Sequence, residues 1–353
     1  MTTSLDRSSG ANAETVAAAR LLLSQMGISA ADLVADGPCA PTFGEVIPKV
    51  RLTLTAGTLR TYDTHFKRLL NVWSDHRLDA VSKPDLEGMA RVVRDTARTT
   101  RATRGGGGAV ENFVSAVRCI YRYAEENGWI RPSDNPARKV PKPTRRGSHR
   151  YAIPSGQLAE ICHAAATSGN DPELDSLILR LHIETACRRG GALALRPHDL
   201  DVDQCLIYLR EKGGTTRWQP VSPTLMRHLV QHAEERHAPK SEQLLRYRSG
   251  APLTDRRYDH IWVRIGGILP WVAVQGISTH WLRHTTLTWV ERTFGPAVAR
   301  AYAGHEGKSG GTTGTYVKAD ICEVAAALSV LTGEQHPLAS APAMLLNPDQ
   351  SAR

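Results

Sequence analysis

Thr185-Ala186-Cys187-Arg188-Arg189-Gly190-Gly191-Ala192-Leu193 is the stretch on which the reading of this 353-residue chain turns. Upstream of it, Leu174, Leu177, Ile178 and Leu181 have the spacing of a buried helix. That helix breaks at glycines just after two arginines, which leaves a polar island beside an apolar element. Four more islands of this kind follow. Lys212 sits at the tip of a hairpin in Glu211-Lys212-Gly213-Gly214. His280-Trp281-Leu282-Arg283-His284 opens an apolar helix, and Ala303-Gly304-His305 follows a short one. Thr312-Thr313-Gly314-Thr315-Tyr316 is the last.

The segments around these islands predict a mainly α chain with a small β-sheet, in two domains. Residues 151–333 mix helices with one hairpin, in which an apolar strand, a Gly213-Gly214 turn and a strand closing at Pro220-Val221 succeed one another. Helical stretches are predicted at 223–236, 255–266, 280–293 and 320–332, the last with Ile321, Val324, Ala325, Leu328 and Leu331 on one face. Residues 42–134 read as a small all-helical domain. Leu59, Tyr62, Phe66, Leu69, Leu70 and Trp73 mark one helix, Pro84 sits in the first turn of the next, and Val110, Phe113, Val114, Val117, Ile120 and Tyr121 mark another. Residues 135–150 form a basic linker with three prolines and no acid, so Lys139, Lys142, Arg145 and Arg146 are candidate DNA-binding residues. Residues 1–41 are expected to be a partly disordered extension with one short helix, and 334–353 a disordered tail.

The net charge is +9, and from Arg51 to Arg150 there are 20 Lys and Arg against 10 Asp and Glu. So localised an excess suits a polyanionic partner, and nucleic acid is the favoured one. No apolar run reaches the ~18 residues a membrane-spanning helix needs. The N-terminus lacks the basic-then-apolar layout of a signal peptide, so a cytoplasmic location is expected. The six cysteines are scattered, as reduced thiols rather than a disulfide frame or zinc site would be. His228, His232 and His237 read as a solvated helix face rather than a metal site. Gly105 to Gly108 lacks the Lys-Ser/Thr of a P-loop and reads as a loop between helices.

Taken in order, the five islands resemble the tyrosine recombinase (phage integrase) family. There the first island reads roughly T-G-x-R-x-S-E-x-x-x-L, followed by a hairpin G-K-G-x-K-x-R-x-x-P, then H-x-L-R-H, L-G-H and T-x-x-Y. The resemblance covers residues 42–333 and places the catalytic set on Arg188, Lys212, His280, Arg283, His305 and Tyr316. Arg189, beside the motif position, is read as a solvated or backbone-contacting arginine, and His284 and Tyr302 as packing. Two departures stand out. Gly191 occupies the place of an acid that helps to orient its neighbours, and His305 lies 11 residues before Tyr316 where 9 is common. Ala186 replaces the usual glycine.

The resemblance implies a two-domain clamp around double-stranded DNA, a helical core-binding domain joined to an α/β catalytic domain. It also implies a homotetramer on paired sites, with accessory DNA-bending proteins as possible partners, and a last helix that docks on a neighbouring subunit. Two guanidiniums would grip the extra charge of a pentacoordinate phosphorane. A tyrosine, pKa near 10, needs a neighbour to take its proton as it attacks, the role that falls to His280. Lys212 would protonate the leaving 5′-oxygen, and His305 would hydrogen-bond the phosphate. The 3′-phosphotyrosyl bond conserves the energy, so neither ATP nor metal is expected as a cofactor. Two other readings share the fold: a DNA-binding accessory protein without catalysis, and a type IB topoisomerase.

Overall fold

The computed structural model describes residues 13–27, 40–97, 105–144, 150–211, 213–304 and 319–339. They fall into two compact units, 1–146 and 147–353. Among the described residues, no helix is long and apolar enough to cross a membrane.

The first unit is helical. α1 (Ala13–Gln25) leaves Leu21 and Leu22 exposed. α2 (Phe43–Thr53), α3 (Ala56–Trp73), α4 (Lys83–Asp95) and α5 (Gly107–Glu126) surround one core. Local chemistry sets where two of them start. The Thr42 and Ser82 hydroxyls accept N–H bonds from Glu45 and Asp85, whose carboxylates accept the Thr42 and Ser82 N–H groups in return. Phe43, Phe66, Leu69, Phe113 and Ile120 are fully buried between the helices. Tyr121 joins them and spends its hydroxyl on the Leu78 carbonyl at 2.9 Å.

Part of the basic linker is a packed element of this unit. Asn135 caps a short helix, α6 (Pro136–Lys139), and Pro136 stands in its first turn, where a missing N–H costs nothing. Pro136, Ala137 and Val140 are buried, and Arg118 donates to the carbonyls of Ala137 and Val140. Arg138 forms a two-pronged pair with Glu125, both contacts at 2.7 Å. Lys139 and Lys142 remain exposed, while Arg145 and Arg146 lie outside the described residues.

In the second unit α7 (Ser155–Thr167), α8 (Pro172–Thr185) and the short α9 (Arg189–Leu193) precede an antiparallel sheet of order β1 (Leu200–Asp201), β2 (Leu206–Arg210) and β3 (Thr216–Pro220). Tyr208 faces Trp218 across the β2–β3 pair. α10 (Pro223–Glu235), α11 (Asp255–Ile268), α12 (Pro270–Gln275), α13 (Thr279–Ala303) and α14 (Ile321–Thr332) complete the unit. Ile161, Ile178, Leu181, Ile207, Leu225, Ile261 and Leu282 are fully buried in its main core. α13 is two helices in one run, broken where Gly295 takes φ 86° ahead of Pro296.

Two expectations are corrected here. The apolar stripe of α14, expected on a neighbouring subunit, is covered within its own unit: Val324, Ala327 and Leu328 cluster with Val290, Val298 and Tyr302 of α13. Residues 334–339, expected to be disordered, are anchored. Glu334 accepts bonds from Arg180 at 2.7 Å and the Thr224 N–H at 3.0 Å, and the buried His336 pairs its Nε2 with the Cys205 carbonyl at 3.1 Å. Composition alone misses such single polar anchors.

Candidate active site

α8 ends in a turn that few side chains adopt. Ala186 takes φ 49° in the left-handed region, a conformation that strains any residue with a Cβ. The Thr185 hydroxyl locks the turn by accepting the Cys187 N–H at 3.2 Å, and Ala186 and Cys187 are buried. The chain then reverses into α9 with Arg188 as its N-cap, so the guanidinium leaves the core just as the backbone turns.

Arg283 comes to the same place from the first turns of α13. It is buried, 4% exposed, and donates Nη1 to the Ala186 carbonyl and Nη2 to the Ala303 carbonyl at 2.8 Å. Both acceptors lie at helix carboxyl ends, where the backbone carries partial negative charge. Burial pulls the Arg283 pKa down to about 10, and Arg188 adds repulsion. The group still carries its charge at neutral pH.

Between these arginines lies an acid that sequence reading did not select. Glu211 follows β2 with its side chain 1% exposed. Its Oε1 accepts the Arg188 N–H at 2.6 Å, and its Oε2 accepts Arg188 Nη1 at 2.6 Å and Arg217 Nη1 at 2.8 Å. Burial pushes the Glu211 pKa up, but Arg217 and the Arg188 N–H outweigh it, and the net shift is downward. The carboxylate therefore stays ionised. Arg217 of β3 also donates Nε to Gln219 at 3.0 Å and Nη2 to the Thr185 carbonyl at 3.4 Å. Gly304, just before His305, packs on Arg217 so closely that a Cβ there would lie 2.5 Å from Nη1. Its φ of 64° separately favours glycine.

His280 occupies the first turn of α13 on the exposed side. Partial burial of the ring lowers its pKa from the usual 6.5, and the fields of Arg150, Arg283, His284 and Arg188 lower it further. At neutral pH the imidazole is uncharged and able to take a proton. Lys212, His305 and Tyr316 lie outside the described residues, while the flanking Glu211, Gly304 and Ala319 are described.

The secondary readings are also located. Arg189 turns to Asp255 at 3.3 Å and remains exposed. His284 faces the Thr288 hydroxyl at 3.3 Å along α13. Tyr302 is fully buried and donates its hydroxyl to the Glu184 carbonyl, and burial raises its pKa. His232 is buried, not solvated, and its Nε2 accepts the Arg246 N–H at 3.2 Å.

The arrangement is a cationic wall. Three arginines from a helix cap, a strand and a second helix are held by one carboxylate and three backbone carbonyls, next to a neutral histidine. Such a wall stabilises negative charge that develops on a phosphoryl group.

Residues 152–321 match the model of the phage integrase family. A segment of 177 residues is 26% identical to tyrosine recombinase XerC of Chromobacterium violaceum, covering 49% of this chain and 56% of that protein. The chain thus spans little more than half the length of that curated relative. Among solved structures, a lambda integrase tetramer bound to a Holliday junction is similar with a TM-score of 0.58 at 15% identity, over 84% of this chain and 87% of that one. The Tn1549 transposon integrase in complex with circular intermediate DNA is similar with a TM-score of 0.58 at 15% identity, over 80% of this chain and 96% of that one. At these identities the structural likeness speaks for the fold.

Proposed function

This chain belongs to the phage integrase, or tyrosine recombinase, family, and from that premise we propose that it is a site-specific recombinase that cuts and rejoins double-stranded DNA through Tyr316. The observation that carries the reading is the meeting of Arg188 and Arg283, far apart in sequence, at the strained Ala186 turn. Arg283 bonds the Ala186 carbonyl, and Arg188 lies close enough to depress the Arg283 pKa.

In this mechanism the Tyr316 oxygen attacks the scissile phosphorus while His280 takes the phenolic proton. Charge builds on the nonbridging oxygens, where Arg188 and Arg283 hold it as guanidiniums that do not deprotonate. His305 adds a hydrogen bond to the phosphate. The bond from phosphorus to the 5′-oxygen breaks, and Lys212 delivers a proton to that oxygen. The product is a 3′-phosphotyrosyl bond and a free 5′-hydroxyl. Attack by another strand's 5′-hydroxyl reverses the steps and completes the exchange. Exchange between two sites calls for four copies on two duplexes, and Lys139, Lys142, Arg145 and Arg146 would contact backbone phosphates.

A nicked suicide substrate tests this reading. The wild type should form a covalent adduct that peptide mapping assigns to Tyr316, and Tyr316→Phe should bind DNA without forming it. Absence of adduct from the wild type across a library of candidate sites would favour a non-catalytic DNA-binding protein. Relaxation of supercoiled DNA without pairing of sites would favour a topoisomerase.

A further inference from the structure

Gly191 is the third residue of α9. It is not among the residues with positive φ, so the backbone does not demand a glycine there. What the glycine provides is room. A Cβ at 191 would lie 3.1 Å from Glu211 Cγ and 3.3 Å from Glu211 Oε1, so the Glu211 carboxylate sits in the space a side chain at 191 would enter.

The bond Glu211 makes there has a defined counterpart. In a capping box, the side chain of the third helical residue accepts the N–H of the N-cap residue. Arg188 is the N-cap of α9, and its N–H is accepted by Glu211 Oε1 at 2.6 Å. An acid carried by the β2–β3 hairpin thus makes the bond that an acid at 191 would have made from within the helix. Its other oxygen is shared by Arg188 at 2.6 Å and Arg217 at 2.8 Å. The backbone N–H of Glu211 closes the hairpin loop on the Thr215 carbonyl at 2.8 Å, and Lys212 lies within that loop.

We infer that Glu211 is the positioning residue of this site: a carboxylate moved from the helix to the hairpin, seated in the space left by Gly191, which holds Arg188 and Arg217 and fastens the base of the Lys212 loop to them. Its part in catalysis rests on the recombinase reading; its seat against Gly191 does not. Gly191 and Glu211 form one exchangeable pair, so an acid at either position serves and acids at both collide.

The test measures adduct formation in a single turnover at saturating DNA, alongside DNA affinity and melting temperature. Glu211→Gln keeps the shape and removes the charge. It should slow cleavage about tenfold to a hundredfold, the size of loss that removing a hydrogen-bonded supporting partner causes at metal sites, with DNA affinity unchanged. Gly191→Glu alone should also be slow. Gly191→Glu combined with Glu211→Ser should recover most of the wild-type rate, which a merely structural role for Glu211 does not predict. A wild-type rate in Glu211→Gln, or a double variant no faster than Glu211→Ser alone, overturns the inference. Should the wild type itself form no adduct, the recombinase reading falls. The inference is then decided by the guanidinium ¹⁵N resonances of Arg188 and Arg217. Signals that shift in Glu211→Ser and return in the double variant uphold the exchangeable seat, and signals indifferent to these changes overturn it.

Discussion

Lys139 and Lys142 stand in solvent at the end of the first unit, whereas Arg217 and Arg283 of the second unit are nearly or wholly buried. Both groups are cationic, and both belong to a chain read as a DNA-cutting enzyme, yet they are held in opposite ways. The exposed lysines keep their water, and bulk salt reaches them. The buried arginines have surrendered water and are compensated by Glu211 and by the carbonyls of Thr185, Ala186 and Ala303. An exposed cation attracts a phosphate from a distance but does not hold a geometry. A buried, bonded one holds a geometry and meets charge only when it develops within reach. On the recombinase reading, the difference separates holding DNA from cutting it.

Substitutions on each side put that division to the test. The largest effect is expected at Lys212, a cation that must give up its proton. Lys212→Ala should lose about 10²–10⁴ in cleavage rate, the span of general acid catalysis. It should recover on a substrate whose 5′-bridging oxygen is sulfur, which leaves without a proton. Equal defects on both substrates would remove Lys212 from that role. Next, Arg283→Ala should cost about 10²–10³ in single-turnover cleavage, as loss of one donor to a developing oxyanion does, with DNA affinity little changed. An affinity loss without a rate loss would erase the distinction between the two groups.

The linker cations should behave the other way. Replacing Lys139, Lys142, Arg145 and Arg146 by alanine should weaken binding and flatten its salt dependence, by a slope of about 0.9 for each phosphate that is no longer neutralised. Cleavage at saturating DNA should be unaffected, and a titration at several salt concentrations with parallel rate measurements decides it. A smaller, several-fold effect is expected from pH. The His280 pKa is lowered, so the base is free at pH 7 and becomes protonated only below the usual 6.5. The cleavage rate should therefore fall on the acid side of 6.5, and an acid limb above 7 would rule this histidine out. The smallest change is Tyr302→Phe. It removes one buried hydroxyl bond to Glu184 and should cost about 1 kcal/mol of stability. Adduct formation should persist, which separates Tyr302 from the nucleophile.

Much of this molecule is legible in the order of its residues, and the reasons are local. Helical periodicity is written wherever one face of a helix packs on a core, and so 223–236, 255–266 and 320–332 are found close to their observed bounds. The hairpin is announced by Gly213-Gly214 between two strand-like runs, and Arg188 by its place just after an apolar helix. What local pattern does not carry is which distant groups meet. Glu211 reads in sequence as an ordinary acid beside a turn, and Gly191 as a missing one. Only the fold of the second unit brings the two together and lets one explain the other, because a carboxylate is assigned by the charges around it and not by its neighbours in the chain. The same holds for 135–140 and 334–339. Pro136 and Pro337 interrupt helical periodicity there, and the side chains that anchor the two segments, Arg118, Glu125 and Arg180, lie on helices elsewhere in the sequence. Residue order alone therefore sets the helices, the hairpin and the chemical types that follow one another along the chain. Which charges are paired and buried is settled only in the folded protein, because burial and pairing are properties of contacts between segments far apart in the chain.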